Sequence, residues 1–162
     1  MDFHVDDWVI HCTHGLGRIT AIEDRTFDKH AAVPYYVVQV SDLTIWVSAD
    51  EKQNQRLRLP VSEAEFRTTL AILSSPAETL SSDRRQRNLD LLTRLEDGRA
   101  ESLCRVIRDL AAYRHARTWN EYDNNLMRRA QKALLGEWCF ILSVTPHDAE
   151  IELQRLLTRK EG

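Results

Sequence analysis

Leu43-Thr44-Ile45-Trp46-Val47-Ser48-Ala49-Asp50 decides the fold of the first third of this chain. From Leu43 to Ser48 the side chains alternate with the two-residue period of a half-buried strand. Leu43, Ile45 and Val47 fall on one face, and Thr44, Trp46 and Ser48 on the other. The second face is polar except for its indole. A tryptophan set among hydroxyls suits an anchor for a partner protein, because aromatic residues dominate interface energetics. Cover from another loop or domain of the same chain would account for it equally well.

Upstream, the same strand character continues. Phe3 to Ile10 and Arg18 to Asp24 are short β-prone runs separated by Thr13-His14-Gly15-Leu16-Gly17, a turn with two glycines. Pro34 opens the run Tyr35-Tyr36-Val37-Val38-Gln39-Val40, and Ser41-Asp42 is a tight connection into the strand of Trp46. A short run near Gln55 to Leu59 closes the unit. Four or five short antiparallel strands with no helix predict a small SH3-like or Tudor-like barrel.

After Pro60 the period becomes helical. Ser62-Glu63-Ala64-Glu65 reads as a capping box ahead of Phe66, Leu70 and Leu73, and Ser74-Ser75-Pro76 stops that helix. A second helix is expected from about Asp83 to Glu96, with Leu89, Leu92 and Leu95 inward and Gly98 at its end. A third carries the stripe Leu103, Val106, Ile107 and Leu110. Asn120 and Asp123 cap a fourth, with Leu126, Ala130, Leu134, Trp138 and Ile141 in register, and Thr145-Pro146 starts a fifth. The fold class is therefore α+β: a β unit over 1–59 followed by an all-helical unit of about five helices over 60–162.

Composition bounds the function. The 162 residues are 43% apolar and 29% charged, an ordinary water-soluble balance. Asp2, Asp6 and Asp7 stand where an export signal needs positive charge, and no apolar run is long enough to span a bilayer. Cys12, Cys104 and Cys139 form no closed disulfide framework and read as thiols of a reducing compartment, so the cytoplasm is expected. Cys104 and Cys139 fall in apolar helical stripes as small core residues. Residues 1–60 carry 6 basic and 9 acidic side chains, whereas residues 82–117 carry 9 arginines against 6 acids. Arginine forks suit phosphate, but they suit helix-surface ion pairs as well.

Nothing in the chain reads as a catalytic centre. His11-Cys12-Thr13-His14 is the one tight group of metal-ligand types, and no second pair stands at a spacing that completes a tetrahedral zinc set. Gly15-Leu16-Gly17 precedes no helix and no P-loop lysine. Ser, His and Asp occur, but in no arrangement like a nucleophile elbow. No catalytic residue, metal or cofactor is expected, and a small metal-dependent enzyme built on His11, Cys12 and His14 is the weaker class.

The order of these pieces resembles the CarD/CdnL family of bacterial RNA-polymerase-binding transcription regulators, and the β unit resembles the polymerase-interacting domain of the transcription-repair coupling factor. Phe3 to Ile10 followed by His14-Gly15-Leu16-Gly17 is similar to the family's first strand and His-Gly-x-Gly turn. Asp42 to Asp50 resembles its fourth strand, Leu95 to Arg99 its Leu-x-Ser-Gly-Asp junction, Val106-Ile107-Arg108-Asp109-Leu110 its best-marked helical segment, and Leu126 to Glu137 the helix that follows.

The resemblance implies a β unit that binds a lobe of the polymerase β subunit by strand pairing, and a helical unit that leans on promoter DNA. The implied polymerase-binding residues are Arg25, Thr44, Trp46 and Ser48, with Trp46 standing where other members often carry arginine. Members that stabilise the open promoter wedge a tryptophan of the second helix into the minor groove. Here Arg84 takes that position, with Arg85 and Arg87 beside it. Trp119 and Trp138 do not replace it, one preceding a helix cap and the other lying on a core stripe. Arg84, Arg85 and Arg87 can touch phosphate but cannot unstack a base step. The expectation is a non-enzymatic, monomeric polymerase-binding regulator that holds promoter DNA weakly or not at all. The alternative is an adaptor whose helical unit contacts a second protein.

Overall fold

The alternation at Leu43 is a strand in the computed structural model, which describes residues 3–26, 31–50 and 56–159. The chain divides into two compact units, Met1–Pro60 and Val61–Gly162. The first contains β1 (Trp8–His11), β2 (Gly15–Arg25), β3 (Val33–Val40), β4 (Leu43–Ser48) and β5 (Leu57–Arg58). They form one antiparallel sheet of Tudor-like type in the order β4-β3-β2-β1-β5. Four consecutive strands make a meander and β5 returns to β1; Gln55, expected in that last run, lies outside the described residues.

The inner face of the sheet carries Val9, Ile19, Tyr36, Val38 and Val47, all buried together with Phe3, which meets the Tyr36 ring edge-on at 5.5 Å. The two glycines of the β1–β2 hairpin have different reasons. Gly15 holds φ at 82°, a left-handed conformation that side chains resist. Gly17 lies within a strand, where an added Cβ would stand 2.7 Å from Val40 Cγ2 and 2.8 Å from Val38 Cγ1. The sequence pattern places both glycines in the turn; Gly17 instead lies within β2 and lets β3's side chains close over the hairpin.

The second unit contains α1 (Glu63–Leu70), a 3-10 turn (Ala71–Ser74), α2 (Arg84–Leu95), α3 (Ala100–Ala116), α4 (Glu121–Leu142) and α5 (Pro146–Thr158). Side-chain caps start four of the five helices: Ser62, Asp83, Asn120 and Thr145 each accept a backbone N–H of the following turn. Asn120 and Asp123 complete a reciprocal capping box. On α3, Cys104, Val106, Ile107 and Leu110 are all fully buried. Each such aliphatic side chain contributes roughly 1.5–3 kcal/mol of burial free energy.

The expected face of α2 is corrected. Leu95 is buried, but Leu89 and Leu92 face outward, Leu89 at 60% exposure. The inward residues are Arg87, Leu91 and Leu95, spaced four apart. A pattern that counts leucines as core and arginines as surface misses this stripe because its first member is a paired guanidinium.

Candidate functional site

Strand β4 is an edge of the sheet among the described residues. Ala49 donates its N–H to Pro34 O at 3.0 Å, which sets the phase of the β3–β4 ladder. In an antiparallel pair the bonded residues alternate, so Val47, Ile45 and Leu43 point their backbone groups into β3. Ser48, Trp46 and Thr44 then direct theirs to the open edge. The same three residues carry their side chains on the outer face, away from the buried cluster.

Trp46 is 42% exposed and held in place. The Arg25 guanidinium lies over its ring, 4.4 Å from the centroid. The indole Nε1–H donates to Glu23 Oε2 at 3.4 Å, and the same oxygen stands 3.7 Å from Arg25 Nε. Arg25, Glu23 and Trp46 thus form one cluster on the outer face. The sequence pattern does not single out Glu23, although it lies two residues from Arg25 in a strand and so shares its face. Thr44 and Ser48 are outward but engaged locally: Thr44 Oγ1 donates to Gln39 Oε1 at 2.6 Å, and Ser48 Oγ accepts from Asp50 N–H at 3.2 Å.

The three arginines at the start of α2 separate. Arg84 and Arg85 are exposed and have no ion-pair partner among the described residues. Arg87 is a correction: it is only 3% exposed, so it is not a residue that meets phosphate. Its Nε and Nη2 each donate at 2.9 Å to the two carboxylate oxygens of Asp123, and its Nη1 donates to Ser81 O and Tyr113 Oη. The hydrogen bonds it donates to Asp123 hold its pKa above the ordinary arginine value, so it stays charged inside the fold. This pair ties α2 to α3 and to the capping box of α4.

Other arginines of the same window are also paired, and of these Arg108 is buried. Arg108 donates to Asp109 and to Ser75 Oγ, and Arg94 reaches Asp109 Oδ2 at 2.7 Å. Asp109 also accepts Glu78 N–H at 3.0 Å. Arg105 pairs with Glu101 one turn away. Four of the nine arginines in this window are thus paired with acids of the same unit, and those of Arg87, Arg94 and Arg108 join helices and the 75–78 segment.

His11 is buried, and its Nδ1 accepts the backbone N–H groups of Thr13 and His14 at 3.1 and 3.2 Å. Burial, with His14 and Arg56 nearby, pulls its pKa down to about 4. Its Nδ1 lone pair therefore serves the β1–β2 turn. Among the described residues no group of three or more His, Cys, Asp or Glu side chains is gathered to hold a metal ion. Burial pushes the Cys104 thiol up to about 12, which leaves it protonated and unreactive. Among the described residues no helix is long and apolar enough to cross a membrane.

The chain thus presents an antiparallel sheet with Trp46 on its open edge strand, followed by a helical unit in which Arg87 and Arg108 are buried in ion pairs. Two family models match the chain: the CarD-like/TRCF RID domain over residues 3–65, and the CarD C-terminal domain over residues 68–154. The chain belongs to the CarD family, and it is a transcription regulator that binds RNA polymerase. That family is regulatory and non-enzymatic.

Proposed function

We propose that β4 pairs edge-to-edge with a strand in a lobe of the polymerase β subunit, with Trp46 as the anchor of the contact. The observation that carries this reading is the coincidence, on Thr44, Trp46 and Ser48, of outward side chains and open backbone groups. Strand addition draws affinity from main-chain hydrogen bonds and specificity from alternate side chains. Arg25 serves by holding the indole flat, and the partner strand meets a pre-organised ring. Trp46→Ala should weaken binding to the isolated β-subunit lobe by about 2 kcal/mol or more while leaving the fold intact. A calorimetric titration showing equal affinity for wild type and variant would sink the assignment.

At promoters, the helical unit touches DNA weakly through Arg84 and Arg85. The second reading, an adaptor that contacts another protein, is favoured by the outward leucines at 89 and 92 on the same helix. A mobility assay on a fork-junction promoter separates the two: weak, salt-sensitive binding that is lost with alanine at Arg84 and Arg85 supports the DNA contact, no binding at low salt supports the adaptor, and tight, salt-resistant binding that prefers the unpaired fork overturns both. In either case the protein acts as a cytoplasmic monomer without cofactor or catalysis.

A further inference from the structure

The sheet carries a second tryptophan cluster built like the first. Trp8 pairs with Arg18 in the β1–β2 ladder, Arg18 with Gln39, and Gln39 with Thr44. Ladder partners share a face, so Trp8 lies on the same outer face as Thr44 and Trp46. Trp8 is 41% exposed, and the Arg18 guanidinium stands 5.7 Å from its ring centroid. Asp6 Oδ1 holds that guanidinium at 3.2 Å. Asp6 itself sits at φ 76°, an unfavourable conformation for a residue with a side chain, pinned by its N–H to Ile19 O at 2.7 Å. An indole, an arginine and a carboxylate are thus assembled twice on one face.

We infer that Trp8 is a second anchor for RNA polymerase, and that the polymerase surface covering this face is apolar and neutral rather than acidic. The inference rests on the reading that the β unit docks at β4. Each arginine already has its carboxylate, so neither offers an unpaired charge to an acidic partner or a phosphate. Half-exposed ion pairs of this kind add little stability; here they orient a guanidinium over a ring. What remains for a partner is two half-exposed indoles, each beside a guanidinium that a carboxylate holds.

The Trp8 row runs without interruption into β4, which gives continuity with the proposed contact. Three strand spacings separate the two tryptophans laterally, roughly 14 Å. A standard interface covers about 800 Å² per partner, roughly 28 Å across, so both indoles fit within one. The net charge of residues 1–60, with 6 basic against 9 acidic side chains, disfavours nucleic acid as the occupant.

The test uses the full chain and purified core RNA polymerase. Trp8→Ala and Trp46→Ala are titrated at low and high salt, with a thermal melt of each variant. A photoreactive benzoylphenylalanine at position 8 provides a readout that does not depend on the alanine variant folding. Trp8→Ala should weaken polymerase binding at least fivefold or so at either salt, and position 8 should cross-link to polymerase. Undiminished binding by Trp8→Ala, with Trp46→Ala weakened, overturns this inference and leaves the β4 reading standing. Cross-linking only to a second copy of the chain, or to nothing, overturns it as well. A weakening by Trp8→Ala that disappears at high salt overturns the neutral surface. Absence of polymerase binding by the wild-type chain overturns both readings together.

Discussion

Arg87 is charged, buried and fully engaged, and its loss should be felt by the whole helical unit. Removing one partner of a buried pair strands the other in a poor solvent, at a cost of about 3–5 kcal/mol. Arg87→Ala and Asp123→Ala should each lower the denaturation midpoint accordingly, and the double variant should lose less than their sum. From the sequence Arg87 was indistinguishable from Arg84 and Arg85, because its partner lies 36 residues away. His11 makes a second prediction. Its folded pKa of about 4 lies below the ordinary 6.5, so the unfolded chain binds the proton more readily. Its contribution is fully present above about pH 6.5 and is lost as pH falls towards 4, with a slope of at most about 1.4 kcal/mol per pH unit. Chemical denaturation across that window should show the slope in wild type and a flatter profile in His11→Gln.

At the scale of elements, the strands were legible because period two is a local signal. Alternation at 43–48 placed Val47 inward and Trp46 outward without knowledge of the neighbours. The start of α4 was equally readable, since Asn120 and Asp123 lie within one turn of each other. The face of α2 was not, because its stripe begins with a paired arginine. A contrast tests it: Leu91→Ala should cost about 2–5 kcal/mol, whereas Leu89→Gln should stay within roughly 0.5 kcal/mol. Similar melts for the two variants would contradict the assigned face. Gly17→Ala should be destabilised by about 1–3 kcal/mol, since Val38 and Val40 must move to admit the methyl. Of the candidate site, Trp46 and its outward direction could be read from the pattern. Its engagement by Glu23 and Arg25 across β3 could not, because contacts between strands are not printed in a period.

At the scale of the molecule, counted charge and available charge differ. Residues 82–117 look basic, yet Arg87, Arg94, Arg105 and Arg108 are each already paired with an acid of the same unit. With Arg84 and Arg85 as the proposed phosphate contacts, the logarithm of DNA affinity should fall with the logarithm of salt with a slope of about −2. A much steeper slope would mean that further cations reach the backbone. Alanine at both positions should flatten it without altering sequence preference, because phosphate contacts carry no base information. The order of the two units and their folds could be read from where the period changes, at Pro60. The functional distribution of charge could not, because a net count contains no distances.

The meander order of β1 to β4 has a consequence in time. Each of these strands pairs with the one made just before it, and β5 needs only to reach back to β1. Few residues must be brought together across long stretches of chain, so the sheet can assemble hairpin by hairpin as it leaves the ribosome. The helical unit must wait longer, since Asp123 has to be synthesised before Arg87 finds its counter-charge. The polymerase-binding part of a growing chain should therefore be competent before the remainder is made.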